Sequence, residues 1–206
     1  MALSTYDELQ AIVAEYLNRS DLTDIIKDWI VMAEAEFNRT LRVREMTVRT
    51  RAPLDSQYVK LPADFLGMRN IELVTSPTTS LEYRNPQNID AHRRGDATGK
   101  PIYYTVIQNV IEVAPVPDSE YTLEILYYQA LPPLAASHNT TNWLLDSSPD
   151  AYIFGVLMQS PVFLGHDERV AVWAGRYQQI IEQMISSDEK ASFSGSTPSL
   201  TFTPYG

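Results

Sequence analysis

The apolar residues of the first 45 positions recur every three or four residues, which is the spacing of an amphipathic helix. Ser4 and Asp7 have the spacing of a capping box and predict a first helix over residues 5–18. A second helix is predicted over residues 21–44, because acidic residues open it and arginines close it. Residues 1–45 are therefore predicted to form a helical hairpin, in which the second helix buries Leu22, Ile25, Ile26, Trp29, Ala33, Phe37 and Leu41.

After residue 45, apolar and polar residues alternate as they do in strands with one buried face. Met46–Leu54 and Tyr58–Leu61 predict a hairpin, and a second hairpin is predicted around Gln108–Asn109, where Asn tolerates the positive φ of a tight turn. The run from Tyr121 to Gln129 adds a further strand. Residues 46–135 are predicted to form one small antiparallel sheet with short helices.

Helical spacing returns in residues 136–190. Ser148, Pro149 and Asp150 supply an N-cap, a proline at the first helical position and a first-turn acid, which together predict a helix start. A longer helix is predicted after Gly165. The sequence thus predicts an α+β protein, in which a bundle of about four main helices, two N-terminal and two C-terminal, holds a small inserted antiparallel β-sheet domain and carries an extended C-terminal arm.

The C-terminal arm, residues 191–206, is rich in Ser, Thr and Pro, and the segment from Ser192 onwards carries no charge. It is interpreted either as a disordered terminus or as an arm that docks on another protein by strand addition. The apolar side chains available for docking are Phe193, Leu200, Phe202 and Tyr205.

The composition is that of a globular protein, with 44% apolar and 20% charged residues among 206. The chain has no cysteine, which excludes disulfides and thiolate metal sites. Its formal charge of -10 argues against binding to the phosphate backbone of nucleic acid. Since the sequence shows neither a run of 18 apolar residues nor a signal peptide, we expect a protein that is neither secreted nor membrane-spanning.

Five arginines stand out against this acidic background, because they fall within 13 consecutive residues. One interpretation is that they complement a helix end and pair with nearby glutamates. The other is that they form a surface that binds a neighbouring subunit or partner, since arginine favours forked pairing with carboxylates. The candidate interface residues are Arg39, Arg42, Arg44, Arg49 and Arg51.

Motifs of catalysis are missing from the sequence. The histidines His92, His138 and His166 have no second ligand at helical spacing, and neither a Gly-x-Ser-x-Gly elbow nor a phosphate-binding glycine loop occurs. The sequence therefore predicts no catalytic residue, no cofactor and no metal, and a protein that is not an enzyme. A hydrolase with an unrecognised carboxylate site stays open as an alternative.

Several segments in a shared order resemble the head-to-tail adaptor (connector) proteins of short-tailed bacteriophages. The resemblance runs from the N-terminus to about residue 188. It is carried by Ser4–Leu9, Leu17–Leu22, Tyr58–Leu66, Arg69–Ile71, Ala114–Asp118, Tyr121–Glu124, Tyr127–Tyr128, Pro132–Leu134, Thr141–Leu145, Pro161–Arg169, Trp173 and Arg176–Tyr177.

The resemblance implies a structural virion protein at the head-tail junction, which is in the host cytoplasm during assembly. It implies a ring of twelve copies that binds the portal protein, contacts the tail nozzle and tail fibre components, and lets DNA pass without sequence-specific binding. No catalytic residue is carried over from the family. The alternatives are a tail-associated cell-wall hydrolase and a soluble interaction module that forms no ring.

Overall fold

The computed structural model describes residues 3–92, 98–161 and 168–192. Within that part of the chain, the backbone forms two compact units. The helical unit joins residues 1–45 to the chain from Leu131 onwards, and the β unit comprises residues 46–130. The four-part division made from the sequence stays a prediction.

The described helices belong to both units. They are α1 (Tyr6–Leu17), α2 (Thr23–Thr40), α3 (Pro86–His92), α4 (Trp143–Ser147), α5 (Pro149–Leu157) and α6 (Arg169–Ser192), and Arg44–Met46 forms one 3-10 turn.

The N-terminal helices begin and end differently from the prediction. The capping box of α1 uses Thr5 and Glu8, one residue later than expected, with the Glu8 amide donating to Thr5 Oγ1 and the Thr5 amide donating to Glu8 Oε2. Helix α2 ends at Thr40 rather than at Arg44, because Leu41 adopts an extended conformation with ψ 137°. The predicted start of α5 at Pro149 is confirmed.

An aromatic cluster forms the centre of the helical unit. The ring of Phe37 on α2 lies 5.1 Å from that of Tyr152 on α5 and 6.0 Å from that of Tyr177 on α6. Gly155 on α5 permits this packing, because a Cβ atom there would lie only 2.9 Å from Phe37 Cζ. These three helices are therefore held together by direct side-chain packing.

The β unit contains two sheets of four strands, so the predicted single small antiparallel sheet is wrong. Sheet A has the strand order β1-β8-β3-β4, and sheet B has the order β2-β7-β6-β5, in which β5 pairs with β6 in parallel. The strands are β1 (Thr47–Leu54), β2 (Tyr58–Lys60), β3 (Phe65–Leu73), β4 (Thr79–Ser80), β5 (Glu82–Tyr83), β6 (Tyr103–Ile107), β7 (Val110–Ala114) and β8 (Tyr121–Gln129).

Both sheets contribute to one hydrophobic core, so they pack face to face as a β-sandwich. Each sheet buries one of its faces, so the strands, in which apolar and polar residues alternate, can all place their apolar side chains in one core between two sheets. The core residues from sheet A are Leu54, Ile71, Leu73, Leu123, Ile125 and Tyr127, and those from sheet B include Ile111 and Val113.

The predicted hairpin of β1 and β2 is also wrong, because β1 pairs with β8 and β2 pairs with β7. The chain therefore crosses from one sheet to the other through the short link at residues 55–57. The second predicted hairpin, β6 with β7, is present. Its positive φ of 55° falls on Gln108 instead of Asn109.

Candidate functional site

The five candidate arginines divide between the two units. Arg39, Arg42 and Arg44 belong to the helical unit, and Arg49 and Arg51 lie on β1. All five are exposed. The contacts that each arginine makes within its own chain differ. These contacts distinguish arginines with a structural role from arginines that are available to another protein.

Arg49 and Arg51 hold one buried carboxylate from both sides. They occupy alternate positions of β1 and thus the same face of sheet A, opposite β8. Arg49 Nη1 lies 3.1 Å from Glu124 Oε1, and Arg51 Nε lies 2.6 Å from Glu124 Oε2. The Glu124 side chain is 6% exposed, whereas those of Arg49 and Arg51 are 64% and 63% exposed. The hydrogen bond from Arg51 holds the pKa of Glu124 below its ordinary value.

Two arginines of the helical unit are tied to their own chain. The Arg42 guanidinium donates to the Asn38 carbonyl at 2.8 Å and also to that of Leu41, which satisfies carbonyls at the end of α2. Arg44 Nε lies 3.2 Å from Glu45 Oε1 and 3.5 Å from Asp188 Oδ1 on α6. Both arginines therefore contribute to the fold of the helical unit.

Arg39 differs from these four residues. It lies in the last turn of α2 and is exposed. Its guanidinium makes no hydrogen bond or ion pair with the part of the chain that the structure describes. Of the five arginines, Arg39 is thus the one most available to an acidic partner.

A buried glutamate on α2 was missed by the sequence analysis. Glu34 is 5% exposed, and its Oε1 atom accepts a hydrogen bond from the Leu134 amide at 2.8 Å and one from the Tyr152 hydroxyl at 3.1 Å. Burial outweighs these bonds and raises the pKa of Glu34 to about 7. Burial and the nearby Glu34 carboxylate also raise the pKa of Tyr152.

Asn142 completes this buried network. Its Nδ2 donates to the Tyr152 hydroxyl at 2.7 Å and to the Pro132 carbonyl at 2.8 Å, while its Oδ1 accepts from the Leu145 amide as the N-cap of α4. The network joins α2, α4, α5 and the loop that leads into α4. These bonds support a structural role, because every polar atom of the Asn142 side chain has a partner within the unit.

A cavity of about 410 Å³ lies in the helical unit beside Arg44. Its lining mixes carboxylates with apolar side chains: Glu45, Asp150 and Asp188 with Trp143, Ile180 and Met184.

Across residues 3–92, 98–161 and 168–192, no group of three His, Asp or Glu side chains is arranged to hold a metal ion. His138 is exposed and bonds to Ser137, whereas the side chains of His92 and His166 lie outside the description.

The docking residues predicted for the C-terminal arm, Phe193, Leu200, Phe202 and Tyr205, lie outside the described residues. Where the structure does describe helices, none combines the length and the apolar character that crossing a membrane requires.

The pairing of Arg49 and Arg51 with Glu124 had little signal in the sequence, whereas the burial of Glu34 had one. The alternation of Arg49 and Arg51 places them on one strand face, but nothing in the sequence links them to Glu124, which is 73 residues away from Arg51. Glu34 lies between Ala33 and Phe37 of the apolar stripe, and this position could have identified it as buried.

The chain matches a protein-family model over most of its length. The family model described as SU10 adaptor protein matches residues 4–199. The chain belongs to the SU10 adaptor protein family, and the resemblance to phage head-to-tail adaptors is confirmed. It is therefore a bacteriophage structural adaptor protein, a virion component that interacts with other head and tail proteins. No curated protein matches the chain.

Proposed function

We propose that this adaptor forms a ring at the head-tail junction, where it joins the portal protein to the tail nozzle and continues the DNA channel. The family match over residues 4–199 is the observation that carries the proposal. The copy number of twelve comes from the resemblance to adaptors of short-tailed phages. Tail fibre components are proposed to attach to the same assembly.

The charge of the chain suits a DNA conduit. Each copy carries a formal charge of -10, so a ring presents an excess of carboxylates near the passing phosphates. Repulsion between like charges weakens adhesion of DNA to the wall, and sequence-specific binding is not needed. The ring therefore favours sliding of the genome over retention.

Arg39 is the residue that we assign first to a contact with a neighbouring copy or with the portal. Its exposed guanidinium has no ion pair with the described residues, so a carboxylate of the partner can pair with it. The same role is proposed for Arg42, Arg44, Arg49 and Arg51. Reversal of their charge also breaks contacts inside the subunit, so they are less informative in an experiment.

The test is to mix the purified chain with the portal protein of the same phage and to image the complex by negative stain. Wild-type protein should form a ring on the portal, and Arg39→Glu should prevent it because like charges then meet. Arg176→Glu is the matched control, since Arg176 is exposed on α6 and its described contact is a 3.4 Å hydrogen bond to Gln179. A wild-type mixture without rings contradicts the proposed function, whereas normal rings with Arg39→Glu contradict only the role of Arg39.

The C-terminal arm is proposed to dock on the portal through Phe193, Leu200, Phe202 and Tyr205. Removal of residues 193–206 should leave the unfolding curve unchanged, because the deletion keeps every residue of the described cores of both units. The same deletion should abolish sedimentation with the portal protein. Co-sedimentation of the shortened chain at the wild-type level would remove this part of the proposal.

A further inference from the structure

The β-sandwich has an open side between its two edge strands. Strand β1 forms one edge of sheet A, and β2 forms one edge of sheet B. A cleft of about 190 Å³ lies between them, with Ala52 and Val59 on its walls. The core residues Ile111, Leu123 and Ile125 form its floor. The cleft can accept one large apolar side chain, since an apolar cavity of about 150 Å³ is enough to bind benzene.

The backbone of β1 is directed so that it can pair with a further strand. The Thr122 carbonyl on β8 accepts a hydrogen bond from the Val74 amide at the end of β3, so the backbone NH and CO groups of Thr122 face β3 and not β1. The backbone of its register partner Pro53 therefore faces away from β8. Because this direction alternates along a strand, the backbone NH and CO groups of Arg51, Arg49 and Thr47 also face away from β8. Among the described residues, no backbone group pairs with this outer edge.

The rim of the cleft is basic although the whole chain is acidic. Arg51 and Lys60 contribute to the lining, and none of the described residues that line the cleft is acidic. Arg49 lies next to Arg51 on the same strand face, and the two share the single carboxylate of Glu124. Arg49, Arg51 and Lys60 thus outnumber the carboxylates of Glu124 and of Glu72, which lies opposite Glu124 on β3, and this excess of one positive charge favours an acidic partner.

We propose that the cleft between β1 and β2 binds an extended, acidic segment of another virion protein by strand addition to β1. Apolar side chains of the segment lie opposite Thr50 and Ala52, and one of them fills the cleft. Acidic side chains alternate with them and lie opposite Arg49 and Arg51, because successive residues of a strand point to opposite faces. The inference depends on the β-sandwich alone and holds whether or not the chain forms a ring.

The probe is a blocked peptide of sequence Thr-Glu-Val-Glu-Phe-Glu-Thr, added to the full isotope-labelled chain. Amide hydrogen exchange measured by NMR should slow at Thr47, Arg49 and Arg51, whose amides gain partners. It should not change at Val48, Thr50 and Ala52, whose amides already face β8. Absence of protection overturns the proposal, and so does equal protection of both sets of amides.

Separate measurements test the acidic character of the bound segment and its identity. The peptide with Gln in place of Glu should bind less tightly, and Lys60→Glu should weaken binding of the acidic peptide about three- to tenfold. Lys190→Glu makes the same charge change on exposed α6 and should have no effect. Equal affinity of the Gln peptide overturns the acidic character of the partner. Tighter binding of a peptide of residues 198–206 overturns the assignment to another protein, because the cleft would then belong to the chain's own C-terminus.

Discussion

Replacement of Glu34 by glutamine should remove a pH dependence from the stability of the helical unit. Burial raises the pKa of Glu34 from 4.5 to about 7, so the folded chain retains a proton that the unfolded chain releases between these values. The contribution of Glu34 to the free energy of unfolding is therefore fully present below pH 4.5 and is lost as the pH rises through 7. A pKa shift of this size lowers the free energy of unfolding by about 3 kcal/mol between pH 4.5 and pH 8.

The glutamine side chain of the Glu34→Gln variant keeps an oxygen acceptor for the Leu134 amide and the Tyr152 hydroxyl but cannot ionise, so the substitution isolates the charge. The variant should match the wild type near pH 4.5 and become more stable by up to about 3 kcal/mol at pH 8. All other carboxylates are shared by the two proteins, so their contributions cancel in the difference.

The assay is urea unfolding followed by tryptophan fluorescence at several pH values from 4.5 to 8. The three tryptophans, Trp29, Trp143 and Trp173, all belong to the helical unit, so the signal reports on the unit that contains Glu34. Parallel stability curves for the two proteins would refute the reasoning. A variant that is less stable than the wild type at pH 8 would do the same, because ionised Glu34 would then be stabilising.

Two further substitutions test the packing of the same unit. Gly155→Ala should destabilise it by about 1–3 kcal/mol, because the new methyl group meets Phe37 at 2.9 Å, whereas Gly175→Ala on α6 has no atom within 4 Å and should be neutral or stabilising; thermal unfolding compares the two, and equal effects would contradict the close approach. Asn142→Ala should cost about 2–4 kcal/mol, because it removes the cap of α4 and leaves the buried Tyr152 hydroxyl and the part-buried Pro132 carbonyl without their donor. An unchanged urea midpoint would show that the network adds nothing.

Local sequence was sufficient for most helices of this protein. Pro149 after Ser148 marked the start of α5, and the apolar spacing of α2 marked its buried face. These features depend on residues within a few positions of each other, so they are visible in the chain itself. The end of α2 was not predictable in this way, because Arg42 and Leu41 continue the helical pattern while their backbone turns away.

Strand pairing depended on distant residues. Strands β1 and β2 are separated by three residues but pair with β8 and β7, so their alternation was compatible with a hairpin and with a sandwich. A hairpin and a sandwich bury the same faces of the strands, and local patterning does not distinguish them. The number of sheets was therefore set by the packing of the whole β unit.

The sequence by itself determined most of the helices, the strand-forming segments, the acidic charge and the adaptor family. The tertiary structure decided which arginines are committed to their own chain, that Glu34 is buried beside Tyr152, and that an apolar cleft opens beside β1. The physical reason is that helices form through bonds four residues apart, whereas ion pairs, buried networks and clefts join residues that only folding brings together.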